Sequence, residues 1–439
     1  MLFLSIFENL STDYMEDKEI IELIRREVVP ATGCTEPVAV ALCCAYSAEA
    51  LSVRPEKINL KLSANILKNA MGVGIPGTGM TGLPIAVALG ALFGKSSDAL
   101  EVLKDCTREK LAEARRFVDE GRIEIGLKEG ISEKLYIEVE CIAGERRSLA
   151  VISHSHTHLC HLESPEKLIY HEPGAESGSD EEEDENGLTL RRVWEFATTA
   201  PIESIEFINE ARRLNENAAK RSLEGNYGHE LGKTLSRPLG KGILGDSTFC
   251  HILSATSGAC DARMAGADIP VMSNSGSGNQ GIAATMPVVV FAEENHNTRE
   301  ELTRALILSH LTAIYIKKSL GRLSALCGCV VASTGSSCGI TYLMGGNYEQ
   351  IAYSVKNMVA NLAGMVCDGA KPSCALKVSS GVSTAVLSAL LAIQNKSVSS
   401  VEGIVEDDVD RTIHNLTRVG SKGMDQTDRL VLDIMTHKG

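Results

Sequence analysis

The chain is organised around two short segments, Leu326-Cys-Gly-Cys-Val330 and Met365-Val-Cys-Asp-Gly-Ala-Lys-Pro-Ser-Cys-Ala375. Together they offer four cysteine thiols from two separated loops. Glycines in both segments and a proline in the second permit the sharp bends that bring such thiols together. The pattern indicates an iron–sulfur cluster, in which three thiolate ligands would leave one iron open to a substrate.

Two other interpretations of these cysteines stay open. A Cys-Gly-Cys pair can be redox-active, and four sulfurs can close a structural zinc site. The seven-residue step from Cys367 to Cys374 is wider than the usual zinc knuckle. An iron–sulfur cluster is therefore favoured over zinc and over a site without metal. Most of the cysteines in apolar or helical surroundings are expected to serve packing; these are Cys43, Cys44, Cys106, Cys141, Cys250 and Cys260.

The composition is typical of a globular protein, and the charge favours a small molecule as its ligand. At 439 residues it exceeds the roughly 250–300 at which one core stops growing, so two structural units are expected. A net charge of −14 without a Lys/Arg cluster disfavours nucleic acid and anionic membranes as partners. The apolar runs are too short for a membrane span and the N-terminus does not resemble a secretory signal, so a cytoplasmic location is expected. The oligomeric state is not fixed by the sequence, which is compatible with a homo-oligomer.

The hydrophobic periodicity predicts an α+β fold, with a mainly helical core domain and an inserted small α+β unit. Nearly every segment from Leu188 onward has helical periodicity, whereas short alternating strands run from Ile123 to Leu162. The chain therefore divides into a helical N-terminal part with a thiol loop, 1–115, a small α+β insert that ends in an acidic linker, 116–187, and a helical iron–sulfur domain, 188–439.

A reactive thiol is predicted at Cys34. It stands in Pro30-Ala-Thr-Gly-Cys-Thr-Glu-Pro37, a proline-bounded turn, and Glu36-Pro37 opens a helix of small residues, Val38–Leu51. A thiol just before a helix N-terminus has its pKa lowered by the helix dipole. The sequence thus predicts a thiolate near neutral pH.

Two glycine-rich loops are candidates for binding an anion such as a carboxylate. The run Ser273-Asn-Ser-Gly-Ser-Gly-Asn-Gln-Gly281 is typical of an anion-binding nest followed by a helix, the alternative being a plain polar connection with a helix cap. The run Gly72-Val-Gly-Ile-Pro-Gly77 lacks the context of a dinucleotide fingerprint and indicates a loop that approaches an anion or packs closely. The candidate binding residues are Asn65, Lys68, Ser273, Asn274, Ser275, Gly276, Ser277 and Asn279.

A histidine-rich run, Ser153-His-Ser-His-Thr-His-Leu-Cys-His161, has the ligand types that zinc favours. Alternation within one strand supplies few convergent ligands. No second segment with a carboxylate or cysteine pairs with it by sequence, so we interpret the run as a polar strand at the rim of a site. Metal binding and the handling of substrate or protons are the alternatives.

The turn at Pro30–Pro37, the Ser273–Gly281 loop and the two cysteine segments together resemble the L-cysteine desulfidase family. That family is related to the iron–sulfur L-serine dehydratase alpha chain. The resemblance covers nearly the whole chain, from about Ile20 to Leu432, and rests on separated motifs in the same order.

The resemblance implies an enzyme with a [4Fe–4S] cluster that converts L-cysteine and water to pyruvate, ammonia and hydrogen sulfide without pyridoxal phosphate. It assigns the cluster ligands to Cys327, Cys367 and Cys374, with Cys329 as a rival for the first, and the catalytic thiol to Cys34. In this interpretation the open iron binds the amino-acid substrate, Cys34 accepts the Cα proton and the polar loops hold the carboxylate. The alternatives are an L-serine dehydratase at the same site and a non-enzymatic iron–sulfur sensor.

Overall fold

The computed structural model of the chain describes residues 15–131, 133, 135–172, 187–321 and 324–437. The acidic part of the predicted linker, 180–185, lies outside these residues. The helices are α1 Asp17–Glu27, α2 Thr35–Leu51, α3 Ala64–Ala70, α4 Leu83–Phe93, α5 Arg108–Asp119, α6 Leu190–Thr199, α7 Ile202–Ile205, α8 Asn209–Glu224, α9 Leu231–Ser236, α10 Pro238–Leu244, α11 Thr248–Met264, α12 Gly278–Glu294, α13 Arg299–Leu320, α14 Gly328–Leu343, α15 Tyr348–Leu362, α16 Cys374–Ile393, α17 Val409–Arg418 and α18 Asp425–Thr436. The strands are β1 Pro30–Ala31, β2 Lys57–Leu62, β3 Gly74–Ile75, β4 Met80–Thr81, β5 Ile123–Leu127, β6 Tyr136–Ala143, β7 Arg146–Ser153, β8 Leu159–Glu163, β9 Leu168–His171 and β10 Val271–Met272.

The predicted fold class is confirmed, because the chain is mainly helical and carries one mixed sheet. The helical part is built around α14, which packs against α12, α13, α15 and α16. Nearly every side chain of α14 is buried, as expected for a helix that is apolar or small on all sides. The first residue of this central helix, Gly328, lies between the two cysteines of the first segment.

The mixed sheet has six strands in the order β5-β2-β6-β7-β8-β9. Strand β2 runs parallel to β5, and the other neighbours are antiparallel. The sheet therefore includes a strand from the N-terminal part, β2, in its interior. The division of the chain at 115 and 187 stays a prediction.

Helix α2 covers one face of the sheet and packs on its other side against α4. Small residues on both helices allow this close packing, since a Cβ atom at Gly90 of α4 would overlap the backbone of Ala41 in α2. The predicted helix after Pro37 is confirmed, although it begins earlier, at Thr35, so that Cys34 is its N-cap residue.

The loop at Gly72–Gly82 forms a short hairpin, β3–β4, that packs closely against the helical part. A Cβ atom on Gly74 would overlap the backbone of Ala265 and Gly266. This glycine therefore allows two chain segments to touch, which is one of the two roles that the sequence indicated for the loop. The hairpin follows α3, which carries Asn65 and Lys68.

One helix among the described residues, α16, is long and apolar enough to cross a membrane by length and composition. Half of its apolar window is buried in the protein, and the helix packs against α11, α14 and α15. These contacts are those of a helix in the core of a globular fold.

An ion pair fastens the last helix, α18, to the N-terminal part. Lys68 of α3 donates to a carboxylate oxygen of Asp428 in α18. The two side chains are only 2% and 18% exposed, respectively. A buried ammonium without its counterion is costly, so Asp428 is needed where Lys68 lies.

We expect Asp428→Asn to destabilise the protein by several kcal/mol, towards the lower end of the about 3–5 kcal/mol found when one partner of a buried pair is removed. The change leaves the buried Lys68 ammonium without a compensating charge. The measurement is the free energy of unfolding by urea. Asp425→Asn, at an exposed position of the same helix, is the control; an equal effect of both substitutions would show that the ion pair is not the cause.

Candidate functional site

The two cysteine segments meet through backbone hydrogen bonds. Residues Leu326 and Val366 form an antiparallel bridge. The Cys327 amide donates to Met365 O at 2.9 Å, and the Cys367 amide donates to Ala325 O at 2.6 Å. This pairing brings the thiols of Cys327 and Cys367 into hydrogen-bonding contact. The convergence of the two loops is therefore built by the main chain.

The third predicted ligand, Cys374, is the first residue of α16. Its Sγ lies 3.7 Å from Gly369 O, and it is close enough to Cys367 for the two to repel each other if both lost their protons. Cys329, the second cysteine of the Cys-Gly-Cys pair, has contacts outside the three predicted ligands. Its Sγ lies 3.3 Å from that of Cys327 but turns towards Met365 Sδ, at 3.2 Å, and Lys377 O, at 3.5 Å.

Cys34, from the N-terminal part of the chain, lies beside the two cysteine segments. Its side chain is 2% exposed and lies beside the guanidinium of Arg263. It also interacts electrostatically with Cys374 and with Cys260 of α11. Thiols from three separate regions of the sequence are thus brought together.

The predicted ionisation of Cys34 is wrong for the chain as it stands. Burial raises the pKa of this thiol from 9.0 to about 12, and the neighbouring Arg263 charge offsets only part of that effect. The sequence showed the helix N-terminus but not how completely the fold would remove Cys34 from water. At neutral pH the thiol therefore keeps its proton.

The thiols of Cys327, Cys367 and Cys374 also have raised pKa values and are protonated at neutral pH. A hydrogen bond with Cys329 raises the pKa of Cys327, and one with Cys327 raises the pKa of Cys367. Burial raises the pKa of Cys374. A metal or cluster has to displace these protons, so its binding releases protons.

Arg263 is a buried cation at the centre of the site. Its guanidinium donates to Gly33 O at 3.0 Å and to Asn279 Oδ1 at 3.1 Å, and its side chain is 5% exposed. None of the described carboxylates forms an ion pair with it. Since a buried charge normally has a partner of opposite sign, the site is suited to an anionic ligand.

The start of α12 carries the predicted polar loop into the site. Asn279 holds Arg263 and contacts Met264 Sδ at 3.2 Å. Gln280 lies so near the first cysteine segment that a Cβ atom on Gly328 would meet its side chain. The Oε1 atom of Gln280 is buried and, within the described part of the chain, has no hydrogen-bond partner.

The earlier residues of this loop make their hydrogen bonds within the protein. Ser273 donates to Val29 O at 2.6 Å, Asn274 donates to both Nδ1 and the carbonyl of His310, and Ser275 donates to Asn274 Oδ1. Gly276 takes a positive φ of 77° in the turn, and Ser277 caps α12. These contacts shape the loop, and the binding of a substrate carboxylate by residues 273–277 stays a prediction.

His310 is a structural partner of that loop. Burial lowers its pKa to about 3, so the ring is neutral. Its Nε2 lies 2.9 Å from Thr285 Oγ1, while Nδ1 accepts from Asn274. Both ring nitrogens are therefore occupied in positioning the polar loop.

Lysines surround the thiols with positive charge. The charge of Lys68 partly offsets the raised pKa of Cys367, so this predicted residue lies at the site. The charges of Lys371 and Lys377 do the same for the pKa of Cys374. Burial would raise the pKa of Asp368, but hydrogen bonds from these last two lysines outweigh it and lower that pKa to about 2. The other predicted residue of α3, Asn65, is 9% exposed, and its Oδ1 finds no hydrogen-bond partner among the residues described.

The arrangement fits an iron–sulfur cluster better than a single metal ion. Ligand atoms of one ion lie close together, and among the described residues a set of three donors within 4.8 Å of one another occurs at His158, Cys160 and Glu172 and not at the cysteine segments. Thiolates from two glycine-rich segments are the ligands that a cluster of several irons takes. The lysines and Arg263 would compensate the negative charge of such a group.

Three residues of this site were missed from the sequence: Arg263, Cys260 and Gln280. A signal for the first two was present, since a charged residue in the mostly apolar and small α11 is unusual, and Cys260 and Arg263 are three apart on one helix face. Cys260 belongs to the buried core, as the sequence predicts, but it also lies beside Cys34 and Cys374.

Comparison with known proteins supports a single family. The family described as "Serine dehydratase alpha chain" matches residues 97–433. A UPF0597 protein of Bacteroides fragilis is 65% identical over 424 residues, covering 97% of this chain and 99% of the relative. UPF0597 proteins of Bacteroides thetaiotaomicron and Phocaeicola vulgatus are 64% and 65% identical, covering 97% and 96% of this chain and 99% and 98% of the relatives. The chain therefore belongs to the serine dehydratase alpha chain family.

Proposed function

We propose that this protein is an L-cysteine desulfidase, which converts L-cysteine and water to pyruvate, ammonia and hydrogen sulfide. One observation carries the proposal: the thiols of Cys327, Cys367 and Cys374 converge beside Cys34 and a buried Arg263 that has no carboxylate partner among the described residues. Membership of the serine dehydratase alpha chain family supports a lyase of this general type.

The cluster ligands in this proposal are Cys327, Cys367 and Cys374. When bound, a [4Fe–4S] cluster with three thiolate ligands supplies a Lewis-acidic iron with an open position. Cys327 is preferred over Cys329 because its thiol contacts that of Cys367, whereas Cys329 turns towards Met365 and Lys377.

Arg263 is proposed to bind the substrate carboxylate. A guanidinium pairs with a carboxylate through two parallel hydrogen bonds, which fixes orientation as well as position. Asn279 and Gly33 O hold the guanidinium in place, so little freedom is lost when the substrate arrives. The amino acid would then be oriented between this anchor and the converging thiols.

Cys34 is proposed to take the proton from Cα. The Cα–H bond breaks with its proton going to Cys34 Sγ, the electron pair forms the Cα=Cβ bond, and the Cβ–S bond breaks with release of sulfide. The product, 2-aminoacrylate, is hydrolysed to pyruvate and ammonia. Because burial keeps Cys34 protonated in the absence of other ligands, the thiol has to lose its own proton first, and the adjacent Arg263 charge favours that loss.

L-Serine dehydration at the same site is the second candidate, because the matching family is described by that activity. The two reactions differ in whether sulfur or oxygen leaves Cβ. We expect the anaerobically reconstituted protein to release sulfide and pyruvate in equal amounts from L-cysteine, with a higher kcat/KM than for pyruvate release from L-serine. A higher kcat/KM for L-serine would replace the first proposal by the second. A cluster without turnover of either amino acid would favour the sensor interpretation.

We expect Cys34→Ala to keep the brown cluster chromophore but to lower kcat by about 10²–10⁴-fold, the usual contribution of a positioned acid–base group. Cys367→Ala should lose both chromophore and turnover. The measurements are the absorbance spectrum, the iron content and the initial rate. Cys43→Ala, which alters another buried thiol of α2 that faces the sheet, is the control with unchanged turnover. Full activity of Cys34→Ala would refute its assignment as the base.

We expect Arg263→Gln to raise KM for the amino acid by roughly 10- to 150-fold, equivalent to the about 1.5–3 kcal/mol of a hydrogen bond to a charged group. The iron content should be unchanged, and Arg263→Lys should recover part of the loss. Arg304→Gln removes a largely buried arginine of α13 that also donates to backbone carbonyls and should leave KM as it is. An unaltered KM in Arg263→Gln would contradict the assignment of the carboxylate anchor.

A further inference from the structure

Three metal-binding side chains meet at the margin of the mixed sheet. A ring nitrogen of His158, the Sγ of Cys160 and a carboxylate oxygen of Glu172 all lie within 4.8 Å of one another. The His158 Nε2 is 2.9 Å from Glu172 Oε2, and its Nδ1 is 3.6 Å from Cys160 Sγ. Cys160 is buried, whereas the other two are partly exposed.

Strand pairing supplies the second segment that the histidine-rich run lacked in the sequence. His161 of β8 pairs with His171 of β9, and the Glu172 amide donates to Cys160 O at 2.9 Å. Residues opposite each other on neighbouring strands share a face, so Glu172 lies on the same side as Cys160. His158, two residues before Cys160, is on that side by the alternation of the strand.

The geometry points to a binding site for a divalent transition metal ion, and we propose Zn²⁺, with His158, Cys160 and Glu172 as ligands. A nitrogen, a thiolate and a carboxylate form the mixed donor set that zinc accepts. In a tetrahedral zinc site the nitrogen and sulfur ligands are about 3.5 Å apart, as follows from Zn–N and Zn–S bonds of about 2.0–2.1 and 2.3 Å. The 3.6 Å between His158 Nδ1 and Cys160 Sγ is close to that value, which makes Nδ1 the ligand atom. Glu172, whose carboxylate pairs with Nε2 of the same ring, would turn an oxygen towards the ion. Three protein ligands leave one position of the ion open.

The turn before β8 holds the histidine in place. Ser153 donates its amide to His158 O at 3.1 Å and its hydroxyl to Leu135 O at 3.1 Å. His154 has a positive φ of 65°, and its ring centroid lies 5.8 Å from that of His158. A non-glycine residue in this conformation is strained, so the fold holds the turn in one particular shape.

A metal at this point would fasten the edge of the sheet. Strand β9 is the last strand, and its Leu168, Ile169 and Tyr170 side chains are 54, 49 and 44% exposed. An ion shared by Glu172 at the end of β9 and His158 in the turn before β8 would link the edge strand to its neighbour. Binding to the folded chain alone stabilises it in proportion to the logarithm of metal concentration.

The test uses the full chain with its iron–sulfur site reconstituted anaerobically, dialysed against Zn²⁺ and then freed of excess ion. We expect one retained zinc per chain. X-ray absorption at the zinc edge, which does not register iron, should give one sulfur at about 2.3 Å and lighter ligands at about 2.0–2.1 Å. Zinc should also raise the melting temperature of the protein.

Cys160→Ser and Glu172→Gln should each weaken zinc binding by more than the roughly 10–100-fold lost when a residue that only supports a ligand is changed, with the iron content unaltered. Glu166→Gln, which changes an exposed carboxylate paired with Arg146 in the turn before β9, is the matched control and should retain the zinc. Because Glu172 is partly exposed, its substitution tests the site even where Cys160→Ser does not fold. Failure of the unaltered protein to retain zinc, retention by both ligand variants, or a zinc spectrum dominated by several sulfurs would overturn the proposal.

Discussion

Four helices begin at the same place in this fold, and the candidate site depends on that constraint. Cys34 and Cys327 are the N-cap residues of α2 and α14, Cys374 is the first residue of α16, and Asn279 and Gln280 lie in the first turn of α12. Helix N-termini carry partial positive charge and unpaired amides. A chain with a net charge of −14 thereby gathers positive potential around its thiols, where Arg263 and the nearby lysines add full charges. Anionic sulfur and a substrate carboxylate are both favoured in such surroundings.

The helix N-terminus and burial have opposite effects on the pKa of Cys34. A helix N-terminus stabilises a nearby negative charge by about 0.3–1 kcal/mol. Burial acts in the opposite direction and raises the pKa from 9.0 to about 12, which corresponds to about 4 kcal/mol. Burial therefore dominates in the protein without ligands. The same exclusion of water strengthens the influence of every charge placed beside the thiol, so the charge of Arg263 acts on it more strongly than it would at the surface.

Much of the fold could be predicted from local patterns, because helices and strands differ in the spacing of their apolar residues. The meeting of the two cysteine segments was also predictable, since glycines and a proline in them permit the sharp bends that bring their thiols together. The residues that were missed depend on contacts between distant segments. Arg263 lies at the candidate site only because α11 passes next to Cys34, and Glu172 meets Cys160 only through the register of β8 and β9. Neither the degree of burial nor a strand register can be obtained from a short window of residues.

The ion pair between Lys68 and Asp428 joins positions 360 residues apart. During synthesis Cys34 and α3 leave the ribosome long before their partners in α14, α16 and α18 have been made. Closing so long a loop costs conformational entropy that only the finished set of contacts can offset. Cys34 and the thiols of the two cysteine segments can therefore meet only after the chain has been synthesised as far as α16.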